Sequence, residues 1–300
     1  MIDFRTPQPS DKAWVDALLA QADYRGCDYN FTNLFVWSRA YGQEIAQVNG
    51  FLVTHLCGRM GCSYMYPAGS GDLAAAIDIL AREADKRRQP LRLVCLTTRQ
   101  MEELDRLMPG RFAYEADRDG FDYLYDIDRL ADLTGKKLHA KRNHINRFQM
   151  EHPDWSYETI TQENIAQCQQ MCLEWYRQME GQKDEGILDE KVAVSSAFEN
   201  FFALEMRGGL IRAEGKIIAF TMGAPLSSDT FVVHIEKAFP QIQGAYPIIN
   251  QQFVEHECKE FTYINREDDL GEEGLRKAKL SYNPVMLVEK FRATLKEGTL

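Results

Sequence analysis

Two hydrophobic rhythms alternate along the 300-residue chain. Apolar positions at helical spacing predict helices in PSDKAWVDALLAQA and NFTNLFVWSRAYG, with Asn30 or Thr32 placed to cap the second. IAQVNGFLVTHL reads as a hairpin, because Asn49-Gly50 stands between two apolar runs and suits a tight turn. SYMYPAG is a further strand, GDLAAAIDILAREADKRRQ a helix, and PLRLVCLT a buried strand. The helix TRQMEELDRLMPG and the extended stretch FAYEADRDGFDYLYDI close this half.

The second half repeats that order. TQENIAQCQQMCLEWYRQM and KVAVSSAFENFFALEM predict helices, GLIRAEGKIIAFTMGAP a hairpin turning at Glu214-Gly215, and TFVVHIEKAF a third strand. GAYPIINQQFVEHECKE is helical, FTYINRE extended, NREDDLGEEGLRKAKLSYNP carries another helix, and PVMLVEKFRATL is the last strand. The order helix, helix, hairpin, strand, helix, strand, helix, strand thus occurs twice. This predicts two related α/β (α+β) domains, at residues 1–130 and 151–300, bridged by a helix within 131–150.

Composition narrows the functional classes. A net charge of −10 argues against broad binding to nucleic acid or anionic membranes. No apolar run approaches the ~18–20 residues of a membrane span. MIDFRTPQPSDK lacks the pattern of a signal peptide, so a cytoplasmic protein is expected. Cys27, Cys57, Cys62, Cys95, Cys168, Cys172 and Cys258 are scattered and predict buried thiols, with no disulfide framework or metal site. Cys168 and Cys172 share a helix face.

Against the excess of acid, Leu133 to Met150 contains no Asp or Glu and holds Lys136, Lys137, Lys141, Arg142 and Arg147. Such a patch suits phosphate groups, with Asn143 and Asn146 as added donors, and it equally suits a solvated helix face. In the stretch NREDDLGEEGLRKAKLSYNP, Asp269 and Glu272 predict a capping box, and Glu272–Arg276 and Glu273–Lys277 favourable helical pairs. Helix stability leaves Asn265, Arg266, Glu267, Asp268, Lys279 and Tyr282 unexplained. The first four leave a strand end, where α/β folds commonly place ligand groups.

The C-terminal half resembles the GNAT acyltransferase fold. FTNLFVW, DYLYDIDRLADLTGKKLHAKRNHINRF and YINREDDLGEEGLRKAKLSYNP resemble a bacterial family of stand-alone proteins related to the C-terminal domain of phosphatidylglycerol lysyltransferase and to Fem-type aminoacyltransferases. The resemblance covers essentially the whole chain. It implies two tandem GNAT-like domains, the first degenerate, each with a mixed, mostly antiparallel sheet flanked by helices. It also implies transfer of an aminoacyl group from aminoacyl-tRNA to an amine or hydroxyl, on a small molecule or a lipid headgroup, without a bound cofactor or metal.

Within that frame Tyr282 is the expected proton donor, and Glu236 the expected amine ligand or general base, with His234 on the same strand face. Lys141, Arg142, Asn143, Asn250, Asn265, Arg266, Glu267, Asp268 and Lys279 are the expected substrate contacts. An acyl-CoA-dependent alternative places acetyl-CoA or another acyl-CoA at Gln241 and Gly244, although Tyr246 fills a position that is small in CoA-using relatives. A third reading is a small-molecule-binding protein without chemistry.

Overall fold

The structure, a computed structural model, describes residues 2–58, 61–179 and 186–298. The first half of the chain forms α1 (Lys12–Ala22), α2 (Phe31–Val36), α3 (Ser38–Tyr41), β1 (Glu44–Val48), β2 (Phe51–Gly58), β3 (Gly61–Met65), β4 (Ala68–Gly69), α4 (Leu73–Lys86), β5 (Arg92–Leu96), α5 (Thr98–Leu107), β6 (Phe112–Ala116) and β7 (Asp122–Asp126). The second half forms α6 (Ile127–Asp132), α7 (His139–Glu151), β8 (Ser156–Thr159), α8 (Ile165–Gln178), α9 (Gly186–Asn200), β9 (Arg207–Ala213), β10 (Lys216–Pro225) and β11 (Thr230–Ala238). It ends with α10 (Ala245–Glu257), β12 (Tyr263–Asn265), α11 (Glu273–Leu280), β13 (Met286–Val288) and β14 (Phe291–Leu295).

Local chemistry explains most of these elements. Asn30 caps α2 by accepting from the Thr32 N–H at 2.9 Å, and Asp72 caps α4 by accepting from Ala75 at 3.0 Å. Asn49 and Gly50 both take left-handed backbone, with φ of 49° and 85°, as a tight hairpin turn requires. Ile77, Leu80, Ala81 and Ala84 recur at helical spacing and are all buried against Val53, Leu93, Leu96 and Ala293.

Two sheets result. The first runs β1-β2-β3-β5-β14-β6, with β4 beside β2, and the second runs β13-β7-β12-β11-β10-β9-β8. β3 with β5 and β11 with β12 pair in parallel, whereas β1–β2, β2–β3, β2–β4, β5–β14, β6–β14, β7–β12, β8–β9, β9–β10 and β10–β11 are antiparallel. The chain divides into two compact units, Met1–Asp122 with Asp268–Gly271 and Leu287–Leu300, and Tyr123–Glu267 with Glu272–Met286.

These units depart from the expected 1–130, 131–150 and 151–300, because the halves exchange strands. β7, from the first half, pairs with β12 in the second sheet, and β14, from the second half, lies between β5 and β6. Tyr123, Leu124 and Tyr125 are consecutively buried, the signature of an interior strand. The basic helix α7 does not bridge the units; it belongs to the second.

One cysteine expectation is corrected. Cys57 and Cys62 are cross-strand partners on β2 and β3 and form a disulfide, whereas Cys168, Cys172 and Cys258 are buried thiols as expected. Their spacing of five residues hid a pairing that only the hairpin register creates.

The exchange makes a prediction. Removing residues 287–300 takes away the strand between β5 and β6, so hydrogen–deuterium exchange should show loss of amide protection in those two strands. Protection in β9, β10 and β11 should persist.

Candidate functional site

The residues that gather around β11 and β12 lie in the second unit. β11 and β12 pair at only three positions, Thr230 with Tyr263, Phe231 with Ile264 and Val232 with Asn265. Asn265 then turns the chain: its fully buried Oδ1 accepts from the Glu267 N–H at 2.7 Å, and Glu267 is left-handed with φ 57°. On the other side of β11, the register with β10 shifts between Met222 and Gly223, which leaves His234 as an extra residue. Such a bulge re-aims the side chains around it.

Two cross-strand pairs follow. His234 Nδ1 lies 2.9 Å from Glu267 Oε1, and Arg266 Nη2 donates to Glu236 Oε1 at 2.7 Å. Asn250 of α10 donates to the other Glu236 oxygen at 3.3 Å. The Arg266 and Glu236 side chains are only 13% and 11% exposed. Removing one member of so desolvated a pair leaves a charge without its counterpart.

The segment after α11 covers this pair. Tyr282 is buried, with the Arg266 guanidinium 4.8 Å and the Lys141 ammonium 3.9 Å from its ring centre. Tyr125 of β7 meets the same ring edge-on at 6.4 Å and donates its hydroxyl to the Lys279 carbonyl at 2.8 Å. Lys279 in turn donates to the Arg266 carbonyl at 2.6 Å, and Lys137 donates to Asn283 at 3.0 Å.

Electrostatics follow from this packing. Burial brings the Lys141 ammonium down to about 8, helped by Arg266 and opposed by Glu236. Burial pushes the Tyr282 phenol up to about 12, against the pull of Arg266. Burial works against charge on Arg266, yet Glu236 and the two tyrosines hold it above its ordinary value. Arg266 Nη1, Asn250 Oδ1 and His234 Nε2 are buried without a hydrogen-bond partner among the described residues. Buried polar atoms in that state are uncommon, and water, an ion or a ligand commonly satisfies them.

The structure therefore gathers Tyr282, Glu236, Asn250, Arg266, Glu267, Lys141 and Lys279. Other expected contacts have different work. The Arg142 guanidinium donates to the carbonyls of Leu133 and, at 3.0 Å, Gly135, closing the loop after α6. Asn143 is exposed and stands 3.4 Å from His139, and Asn265 is the turn-former. Asp268 belongs to the first unit.

Asp269 caps no helix: it is fully buried, pairs with Arg118 at 3.4 Å and accepts from Gly271, while α11 starts at Glu273 without a side-chain cap. For the acyl-CoA turn, Gln241 is exposed and Gly244 has φ 88°. A β-carbon on Gly244 would stand 2.5 Å from the His144 carbonyl and 2.8 Å from Phe148. Close packing of α7 thus explains the glycine without a cofactor.

Tyr125 was not foreseen. Its sequence position assigns it to the first half, and only the strand exchange delivers it to this site.

With this geometry in view, comparison with known proteins defines the class. Residues 19–294 match the family model described as phosphatidylglycerol lysyltransferase, C-terminal, and the chain belongs to that family. A crystal structure of a conserved protein of unknown function from Bacteroides thetaiotaomicron is 41% identical, with a TM-score of 0.95 over 99% of this chain and 100% of that one. The C-terminal domain of a putative lysylphosphatidylglycerol synthetase from Agrobacterium fabrum has a TM-score of 0.69 at 13% identity, covering 96% and 93% of the two chains. For L-PGS from Bacillus licheniformis the values are 0.61 and 16%, over 87% and 90%.

Among curated proteins, an uncharacterized protein of Mycoplasmoides gallisepticum is 24% identical over 179 residues, 56% of this chain, and the match spans 54% of that relative's length. The fold is α/β, with two mixed sheets flanked by helices. No helix among the described residues is long and apolar enough to cross a membrane.

Two measurements test the electrostatic description. Lys141 is depressed in the folded state and ordinary in the unfolded one, so the unfolded chain binds more protons between about pH 8 and 10.5. Stability contributed through Lys141 should therefore rise with pH across that window, and denaturant titrations of Lys141→Met should lack that rise. Separately, Arg266→Met should cost ~3–5 kcal/mol by leaving Glu236 unpaired, and Arg266→Met/Glu236→Leu should recover most of the loss.

Proposed function

We propose that the second unit transfers an aminoacyl group from aminoacyl-tRNA to an amine or hydroxyl acceptor. The observation that carries this reading is the buried Arg266–Glu236–Asn250 set under Tyr282, with one donor and one acceptor left over. An aminoacyl ester offers an ammonium group and a carbonyl oxygen a short distance apart. Glu236 and Asn250 Oδ1 suit the ammonium, and Arg266 Nη1 suits the oxyanion formed when the acceptor attacks the carbonyl.

Proton transfer then has assigned places. Lys141, with its ammonium near 8, is part neutral around neutral pH and takes the proton of the attacking group. Tyr282, near 12, stays protonated and donates to the departing ribose oxygen. The exposed cations Lys136 and Arg147 suit the tRNA backbone, which binds by charge and in a salt-dependent way. The acceptor is a small molecule or a lipid headgroup. The acyl-CoA reading has less support, since α7 packs against Gly244, and Tyr246, two residues on, takes the position that is small in CoA-using relatives.

The test is side-by-side binding of a mixed aminoacylated tRNA pool and of acetyl-CoA, followed by transfer of labelled aminoacyl groups to candidate acceptors. We expect tRNA to bind at low salt, and Tyr282→Phe to lower transfer by ~100-fold while leaving tRNA binding unchanged. Failure to bind charged tRNA at low salt, or tight binding of acetyl-CoA alone, would sink the proposal.

A further inference from the structure

The first unit buries a second reactive cluster that the proposed transfer does not use. Lys290, 4% exposed, places its Nζ 2.7 Å from Asp122 Oδ1, 2.6 Å from Asp28 Oδ2 and 3.4 Å from Cys27 Sγ. Asp122 is fully buried and receives both the Cys27 N–H at 2.8 Å and the Cys27 S–H at 3.2 Å. Cys27, Asp28 and Asp122 have metal-ligand spacing, but the ammonium among them occupies the place a divalent ion would need. A single carboxylate oxygen therefore touches both the thiol and the amine.

The surroundings suggest chemistry beyond charge neutralisation. Cys95, within β5, holds a left-handed backbone with φ 60°, a conformation that costs a non-glycine residue ~1–3 kcal/mol. It stands beside the same charges, and burial raises its thiol well above the ordinary value. Asp28, at the edge of the cluster, is 29% exposed, and Cys95 is part-exposed. Burial disfavours the Lys290 charge, but Asp122 and Asp28 hold it protonated, and the same carboxylates are poised to receive its proton.

We propose that Cys27 and Lys290 form a covalent nitrogen–oxygen–sulfur bridge when the protein meets a peroxide. One peroxide oxidises the Cys27 thiol to a sulfenic acid and is reduced to water. A second peroxide accepts two more electrons as the sulfenic oxygen becomes bonded to Lys290 Nζ. That step joins S–O to N and releases two waters and one proton, which passes to Asp122 or Asp28. Sulfur and nitrogen are each oxidised by two electrons, balancing the two peroxides consumed. The product ties the loop before α2 to the segment before β14, both in the first unit.

The test needs no substrate and is independent of the transferase reading. Native protein is treated with hydrogen peroxide, alkylated and digested with trypsin. The expected product is one linked species containing residues 26–39 and the Lys290 peptide, uncut after Lys290, heavier than the two peptides by one oxygen and lighter by two hydrogens. It should vanish on treatment with dithiothreitol and be absent from Cys27→Ser. The proposal is overturned if Cys27 only gains oxygens while trypsin still cuts after Lys290, if Cys27 pairs with Cys95, or if Cys27 is unchanged. A linked Lys290 that persists in Cys27→Ser would overturn it as well.

Discussion

The desolvated ion pair between Arg266 and Glu236 is the interaction around which the second unit's site is organised. A guanidinium and a carboxylate taken from water each lose several kcal/mol of solvation, and their attraction offsets this only with good geometry and further hydrogen bonds. Here Asn250 supplies one of those bonds, and Tyr282 and Tyr125 supply ring faces and bulk. The aromatic cover lowers the local dielectric, which depresses Lys141 and strengthens every polar contact beneath it. One pairing thus sets the rest of the site's electrostatics.

Backbone devices hold that pair in place. The short parallel pairing of β11 with β12, the bulge at His234 and the Asn265 turn bring successive residues of two strands face to face. None of them is a strong propensity signal. Each depends on register, and register is decided by tertiary pairing rather than by a local run of residues.

That explains which parts of the site were legible in the sequence. Helices and hairpins announced themselves through periodicity and through Asn49-Gly50 and Glu214-Gly215. Arg266, Glu267, Lys279 and Tyr282 stood out because helix stability did not explain them. Asp269 misled, since its spacing to Glu272 mimics a capping box, while its carboxylate is buried on Arg118. Arg142 stood out as a cation in a basic run, and its guanidinium closes the loop after α6. Tyr125 and the Cys57–Cys62 pair were illegible, because strand exchange and hairpin register have no local imprint.

The exchanged strands also bear on how the chain emerges from a ribosome. β5 and β6 are complete by Ala116, yet the strand that lies between them starts at Phe291. At ~5–20 residues per second the first sheet stays open for on the order of 10–30 s, with two hydrogen-bonding edges unfilled. The second sheet, which takes β7 from upstream, has that strand available when its own strands appear. The half made first is therefore the half that closes last, and open strand edges invite pairing with other chains during that interval.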